Sequence, residues 1–109
     1  MQQKYRIMTT TALLLASIPA PAMSESAEIV RGRALVEANC SRCHAVSRDD
    51  ASMHPEAPAF RTLWERYPID ALEEAFAEGI YVGHPDMPEF VADPDQIAAI
   101  IAYIASIQD

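Results

Sequence analysis

Apolar side chains repeat at helical spacing along most of the chain, and this pattern predicts four helices. The first runs from about Ala27 to Cys40, behind Ser26 as a suitable N-cap. The last begins with Asp93 as N-cap, Pro94 at its first position and Gln96 at its third. The predicted inward positions are Ile29, Gly32 and Val36 in the first helix, and Ile97, Ile100, Ile101, Ile104 and Ile107 in the last.

Two shorter helices are predicted between these. The first of them has four large apolar residues at i, i+3, i+4 and i+7, which places them on one helical face: Phe60, Leu63, Trp64 and Tyr67. Pro68 is expected to end it, because proline lacks the N–H that a helix interior needs.

The next helix is expected to start at an acidic variant of the capping box, formed by Asp70 and Glu73, and to end at Gly79. Its predicted inward face consists of Leu72, Ala75 and Phe76. No segment predicts a strand, so the expected fold class is all-α.

Residues 1–22 have the parts of a secretory signal peptide. Lys4 and Arg6 form a positive start, a short apolar run follows, and small residues precede a predicted cleavage after Ala22. Residues 23–109 would then form one domain in the periplasm. The apolar run is about half of the roughly 20 residues that span a bilayer, so no membrane insertion is expected after cleavage.

The chain is acidic, with a formal net charge of −8 from 8 basic and 16 acidic residues. Loss of Lys4 and Arg6 with the leader removes two positive charges and brings the balance near −10. Such a surface excludes nucleic acid and anionic lipid as partners. It favours a partner protein with a basic or neutral docking face, although acidity also serves simple solubility.

Cys40-Ser41-Arg42-Cys43-His44 is the pattern C-x-x-C-H, which is the attachment signature of c-type haem. Two thiols three positions apart can each form a thioether to a porphyrin vinyl group, and the adjacent imidazole reaches the iron from the same side. The motif thus predicts one covalent haem c, bound by Cys40 and Cys43, with His44 as an axial iron ligand. A domain of 87 residues buries little core, so the cofactor is expected to hold the fold together.

Three other interpretations of the two cysteines are less well supported. A thioredoxin-like thiol pair follows a strand, whereas the residues before Cys40 predict a helix. A structural zinc site usually needs four ligands, and the chain has only two cysteines. A disulfide between Cys40 and Cys43 would close a very small ring with little entropic gain.

The chain resembles the small monohaem class I cytochromes c over essentially all of residues 23–109. The resemblance rests on the attachment motif at the end of a helix that carries Gly32, on Pro58 in the following loop, on Met87-Pro88 before the last helix, and on Tyr103. It implies a cytochrome c fold of four to five short helices wrapped around one covalent haem. The N- and C-terminal helices cross, with Gly32 allowing close approach and Tyr103 packing nearby.

Met87 is the preferred second axial ligand. It lies between Pro85 and Pro88 in a loop before the last helix, and the resembled family places its ligand in such a Met-Pro loop. A thioether ligand would raise the reduction potential relative to a second imidazole. His84, in the same loop, is the main rival, and the more distant candidates are Met53 and His54.

Further contacts to the cofactor are expected around these ligands. By the resemblance, the carbonyl of Pro58 accepts a hydrogen bond from His44, with Pro55 as an alternative. Trp64 and Tyr67 are candidates to bind the haem propionates, with core packing as the alternative. Arg42 and Arg61 are candidates to pair with the same groups or to remain solvated.

The function expected from this set of residues is one-electron transfer by a soluble periplasmic carrier that is not itself an enzyme. It would act as a monomer or weak dimer on redox partner proteins. One alternative is a dedicated electron-transfer subunit of a periplasmic dehydrogenase. Another is a haem-based sensor or peroxidase, which requires a labile sixth ligand.

Overall fold

A computed structural model describes residues 9–19, 25–79 and 85–109 of the chain. These residues form α1 (Ala27–Asn39), a 3-10 helix (Phe60–Glu65), α2 (Ala71–Glu78) and α3 (Pro94–Ser106). The described residues contain no strand, which confirms the all-α fold class. Residues 9–19 are exposed and adopt no regular structure. Within the described part of the chain, no helix is both long and apolar enough to cross a membrane.

Both terminal helices begin and end close to the predicted positions. The Ser26 hydroxyl accepts a hydrogen bond from the Ile29 N–H at 3.2 Å at the start of α1. Asp93 and Gln96 form a reciprocal capping box at the start of α3, with Pro94 at its first position. These bonds satisfy N–H groups that have no partner inside the helix. The sequence signals therefore act locally as expected.

The close contact between α1 and α3 depends on Gly32. A Cβ atom added to Gly32 would lie 1.9 Å from the Ala99 carbonyl oxygen and 2.9 Å from the Tyr103 Cβ. Only glycine allows backbones to approach this closely. The Tyr103 hydroxyl donates to the Val46 carbonyl at 2.5 Å, which connects α3 to the segment after the attachment motif. The roles expected for Gly32 and Tyr103 at a helix crossing agree with these contacts.

The segment from Phe60 to Tyr67 differs from the prediction. It forms a six-residue 3-10 helix in place of an α-helical face. Phe60 and Leu63 are buried, whereas Trp64 is 52% and Tyr67 41% exposed. A 3-10 helix has three residues per turn, so positions i and i+3 share a face and position i+4 turns away from it. The prediction that Trp64 lies on the inward face was wrong for this reason. Tyr67 lies beyond the end of the 3-10 helix at Glu65.

The start of α2 also differs in detail. The Asp70 carboxylate accepts from the N–H of Ala71 at 3.1 Å, and Glu73 N–H donates to the Asp70 backbone carbonyl at 3.2 Å. Asp70 has helical backbone angles, whereas the capping box requires an extended N-cap. The expected acidic capping box was therefore wrong. Gly79 does end the helix, at a φ of 84°.

Candidate functional site

The attachment motif lies in a tight turn directly after α1. Cys40 N–H donates to the Val36 carbonyl at 2.8 Å, and the N–H groups of Cys43 and His44 both donate to the Cys40 carbonyl, at 3.2 and 3.0 Å. Both thiols are free and half-buried. The turn thus places Cys40, Cys43 and His44 together at the wall of one cavity.

The His44 imidazole is fixed by a hydrogen bond to the following loop. Its Nδ1 lies 2.8 Å from the Pro58 carbonyl oxygen, the partner that the resemblance implied, rather than that of Pro55. A carbonyl only accepts, so Nδ1 carries the proton and Nε2 keeps its lone pair. The Phe60 ring lies 4.8 Å from the imidazole, centroid to centroid. His44 is therefore held in the tautomer and orientation that a metal-binding Nε2 requires.

The loop between His44 and Pro58 has its own internal support. The Asp50 carboxylate accepts from the N–H groups of Val46 and Ser47, both at 2.9 Å. Burial raises the pKa of Asp50, but these hydrogen bonds outweigh that effect and leave the pKa below its usual value. Arg61 donates to the Asp50 carbonyl at 2.8 Å. Arg61, expected to be solvated or paired with a propionate, thus supports this loop.

A cavity of about 520 Å³ opens beside the attachment motif. Its volume lies in the roughly 300–1,000 Å³ range of ligand pockets. The apolar side chains along its wall come from the 3-10 helix, α2, α3 and the loop before α3: Phe60, Leu63, Leu72, Ala75, Phe76, Phe90 and Ile104. A large apolar cavity with two thiols and an oriented imidazole fits a haem that is attached through both cysteines.

Met87 lines the same cavity as His44. It is half-buried and packs against the hydrophobic core from the loop before α3. Among its rivals, Met53 is 79% exposed, and the His54 Nε2 atom lies 3.2 Å from an Asp86 carboxylate oxygen. His84 lies outside the described residues. Of the described candidates, Met87 is the one that lines this cavity together with His44 and both thiols.

Other expected contacts have mixed outcomes. Arg42 and Tyr67 line the cavity, whereas Trp64 does not. Trp64 lies on the outward side of the 3-10 helix, and its backbone N–H donates to the Gln108 side chain at 2.9 Å. The expected contact of Trp64 with the cofactor therefore requires correction. Leu72 and Ala75 were not named as cofactor contacts, although the apolar face predicted for α2 was a signal for both.

The chemistry of Cys40 argues against a redox-active thiol pair. Burial raises the pKa of the Cys40 thiol from 9.0 to about 11, so the thiol stays protonated at neutral pH. A reactive cysteine needs a lowered pKa, because the thiolate is the nucleophile. Nor do the described residues contain a cluster of three or more His, Cys, Asp or Glu side chains that would hold a metal ion directly.

Comparison with known proteins agrees with this chemistry. The family model described as cytochrome c matches residues 29–108, a range that includes the attachment motif and Met87. The chain is also similar to cytochrome c-552 of Bradyrhizobium diazoefficiens, with 28% identity over 96 residues, which cover 88% of this chain and 90% of the relative. No solved structure matches the chain significantly.

Proposed function

Because this chain belongs to the cytochrome c family, we propose that it is a periplasmic one-electron carrier with a single haem c. Family membership implies a covalent haem and supports haem-based electron transfer. In this proposal, Cys40 and Cys43 form the thioethers, and His44 and Met87 are the axial ligands. The observation that carries it is the presence of all four side chains on the wall of one apolar cavity.

Haem iron supplies one-electron oxidation and reduction when the group is bound. The residues of the chain set the conditions for that chemistry. The Pro58 carbonyl keeps His44 in one tautomer, and the apolar wall excludes water. The Met87 thioether favours the ferrous over the ferric state, which makes this a carrier of relatively high potential. In this proposal the chain transfers an electron and changes no bond in a substrate.

The acidic surface supports a partner with a basic docking face. Helix α2 contains no basic residue. The carboxylates of Glu73, Glu74 and Glu78, and that of the preceding Asp70, are exposed. On the same helix, Leu72 and Ala75 line the cavity. These carboxylates therefore lie on a helix that borders the cavity, and they would attract a positively charged partner surface. A dedicated dehydrogenase subunit would use this surface as a lasting interface.

Residues 1–22 are proposed to act as the cleaved signal peptide that exports the chain. In that case, holoprotein from the periplasm begins at residue 23, and its mass equals that chain plus one haem. Material of bare polypeptide mass, or haem protein found in the cytoplasm, would contradict this proposal.

A redox-titrated visible and near-infrared spectrum of the purified holoprotein tests the proposed ligands. His/Met ligation predicts a low-spin spectrum, a thioether-to-ferric charge-transfer absorption in the near infrared and a single one-electron wave. A high-spin ferric spectrum that binds carbon monoxide readily on reduction would instead indicate an open sixth position, as in a sensor or peroxidase. Size exclusion of native extracts separates a free carrier from a dehydrogenase subunit.

A further inference from the structure

His54 and Asp86 join two loops that border the candidate site. The His54 Nε2 atom lies 3.2 Å from the Asp86 Oδ2 atom. His54 belongs to the loop that follows the attachment motif and also carries Pro58. Asp86 immediately precedes Met87. The contact thus connects the loop that orients His44 to the loop that presents Met87.

The His54 side chain is itself held in place. Its backbone N–H donates to the Cys43 carbonyl at 3.1 Å, and the Glu56 N–H donates to its Nδ1 at 3.2 Å. Because Nδ1 accepts, the ring proton lies on Nε2, where it can be donated to Asp86. The neutral imidazole is therefore sufficient for this bond.

A small cavity of about 60 Å³ shows how close this pair lies to the axial ligands. Its wall includes His44 and Met87 as well as His54, Pro58 and Asp86. The pair therefore borders the space between the two proposed ligand loops. A single polar contact on a surface usually contributes little to stability. This one differs because its two residues belong to the loops that carry Pro58 and Met87, and both border the same small cavity.

We propose that His54 and Asp86 form a positioning clasp that holds the Met87 loop and so limits displacement of Met87 by external ligands. The inference depends on the proposed His44/Met87 ligation, and it assigns a role to two residues that coordinate nothing. When the clasp is broken, the Met87 loop should open more often. An external ligand should then bind with higher apparent affinity, because that affinity scales with the open fraction.

Titration of ferric holoprotein with imidazole tests the clasp. His54→Ala and Asp86→Ala are each expected to raise imidazole affinity about fivefold, or about 1 kcal/mol. The double variant should show less than the sum of the two gains, because both changes remove the same His54–Asp86 contact. His54→Gln keeps a donor and Asp86→Asn keeps an acceptor, so the imidazole affinity of both variants should stay close to that of wild type. Met53→Ala, in the same loop, and Glu65→Gln, which removes a distant charge, should have no effect.

A second measurement follows the loop itself. Hydrogen exchange of the Met87, Glu89 and Phe90 amides in holoprotein should accelerate about fivefold in His54→Ala and Asp86→Ala, with exchange in α1 unchanged. Wild-type affinity and exchange in both alanine variants would overturn the clasp, as would additive effects in the double variant. So would an Asp86→Asn variant whose imidazole affinity rises as much as that of Asp86→Ala, because charge and not the hydrogen bond would then be responsible.

Met87→Ala distinguishes failure of the clasp from failure of the proposed ligation. If Met87→Ala binds imidazole much more tightly than wild type while the His54 and Asp86 variants do not, only the clasp is wrong. If Met87→Ala leaves the ferric spectrum and imidazole binding unchanged, the ligation is wrong and the clasp falls with it.

Discussion

The orientation of a single imidazole shows how one backbone group can determine the chemistry of this site. The Pro58 carbonyl can only accept, so the 2.8 Å contact with His44 Nδ1 fixes which ring nitrogen is free. A proline is suited to this position because its restricted φ stiffens the loop that carries the carbonyl. The structure thus prepares Nε2 of His44 as a ligand without using a second side chain.

Replacing Met87 by Ala should open the sixth coordination position and lower the reduction potential, because the thioether that favours the ferrous state is lost. If Met87 is displaced less than about a tenth of the time in wild type, apparent imidazole affinity should rise at least about tenfold. Potentiometry and ferric spectra measure both effects. Met53→Ala removes a thioether that is 79% exposed and should change neither. An unaltered potential in Met87→Ala would contradict the assignment.

The sequence predicts single residues best where a short motif requires a specific chemistry. Cys40, Cys43 and His44 follow from their spacing alone, and the structure brings them to one cavity with Met87. Trp64 was misplaced because its orientation depends on the helix type, and a run of four aromatic and apolar residues does not distinguish 3.6 from 3.0 residues per turn. The tertiary contacts of the segment decide that choice.

The pair formed by α1 and α3 depends on close backbone approach. Gly32→Ala would place a methyl group 1.9 Å from the Ala99 carbonyl oxygen, and a backbone atom in a helix cannot move aside easily. The helices must then separate, at an expected loss of about 3 kcal/mol in the free energy of unfolding. Denaturant titration of holoprotein measures this loss. Ala34→Ser, on the exposed side of α1, should change stability by less than about 0.5 kcal/mol.

The Asp50-centred loop predicts a dependence of stability on pH. The pKa of Asp50 is lowered in the folded protein, so its carboxylate stabilises the fold at pH values above the ordinary pKa of 3.8. That contribution is lost as the pH falls below about 4, through the lowered pKa. Asp50→Asn should lower the thermal midpoint at pH 7 and flatten its decline between pH 4 and pH 3. Asp49→Asn, one position earlier, should retain the wild-type slope; equal slopes in all three proteins would refute the assignment.

Elements with strong caps were predicted almost to the residue, whereas the connecting segments were not. Ser26 at one helix and Asp93 with Gln96 at another form the expected bonds, because N-capping depends only on neighbouring residues. The loop after His44 depends on Asp50 and Arg61, which are 11 positions apart. Nothing in the local pattern indicates such a contact, so its geometry could not be predicted from the sequence.

Part of the hydrophobic core lines the cavity, through Phe60, Leu63, Phe76 and Ile104. Covering apolar surface stabilises a fold by roughly 25 cal/mol per Å². A domain of this size buries little core of its own. Packing of a flat apolar cofactor against these side chains is therefore part of the folding free energy.

A chain that cannot attach haem should accordingly be poorly folded. Cys40→Ala combined with Cys43→Ala is expected to lose most helical circular dichroism and the cooperative thermal transition. Ser41→Ala alters the same motif but retains both thiols, so it should bind haem and melt cooperatively. A native-like, cooperative melt of the double variant would show that the polypeptide core is sufficient alone.

The charge of the whole protein predicts how its reaction rates respond to salt. A negative protein surface should accelerate reduction of a cationic cobalt complex and slow that of hexacyanoferrate(III). Raising the ionic strength from 0.01 to 0.1 M shortens the Debye length from about 30 to 10 Å, so the first rate constant should fall and the second should rise. Stopped-flow oxidation of the ferrous holoprotein measures both.

The source of that potential can be located with matched charge changes. Glu73→Gln removes one charge from α2, whose Leu72 and Ala75 line the cavity, and should change both rate constants at 0.1 M. Glu28→Gln also removes one charge, about 18 Å back from Cys40 along α1 and beyond the Debye length of about 10 Å at 0.1 M, so it should change those rate constants less. If Glu28→Gln changed the rate constants at 0.1 M as much as Glu73→Gln, net charge alone would steer association. In that case α2 would not be the face at which a partner docks.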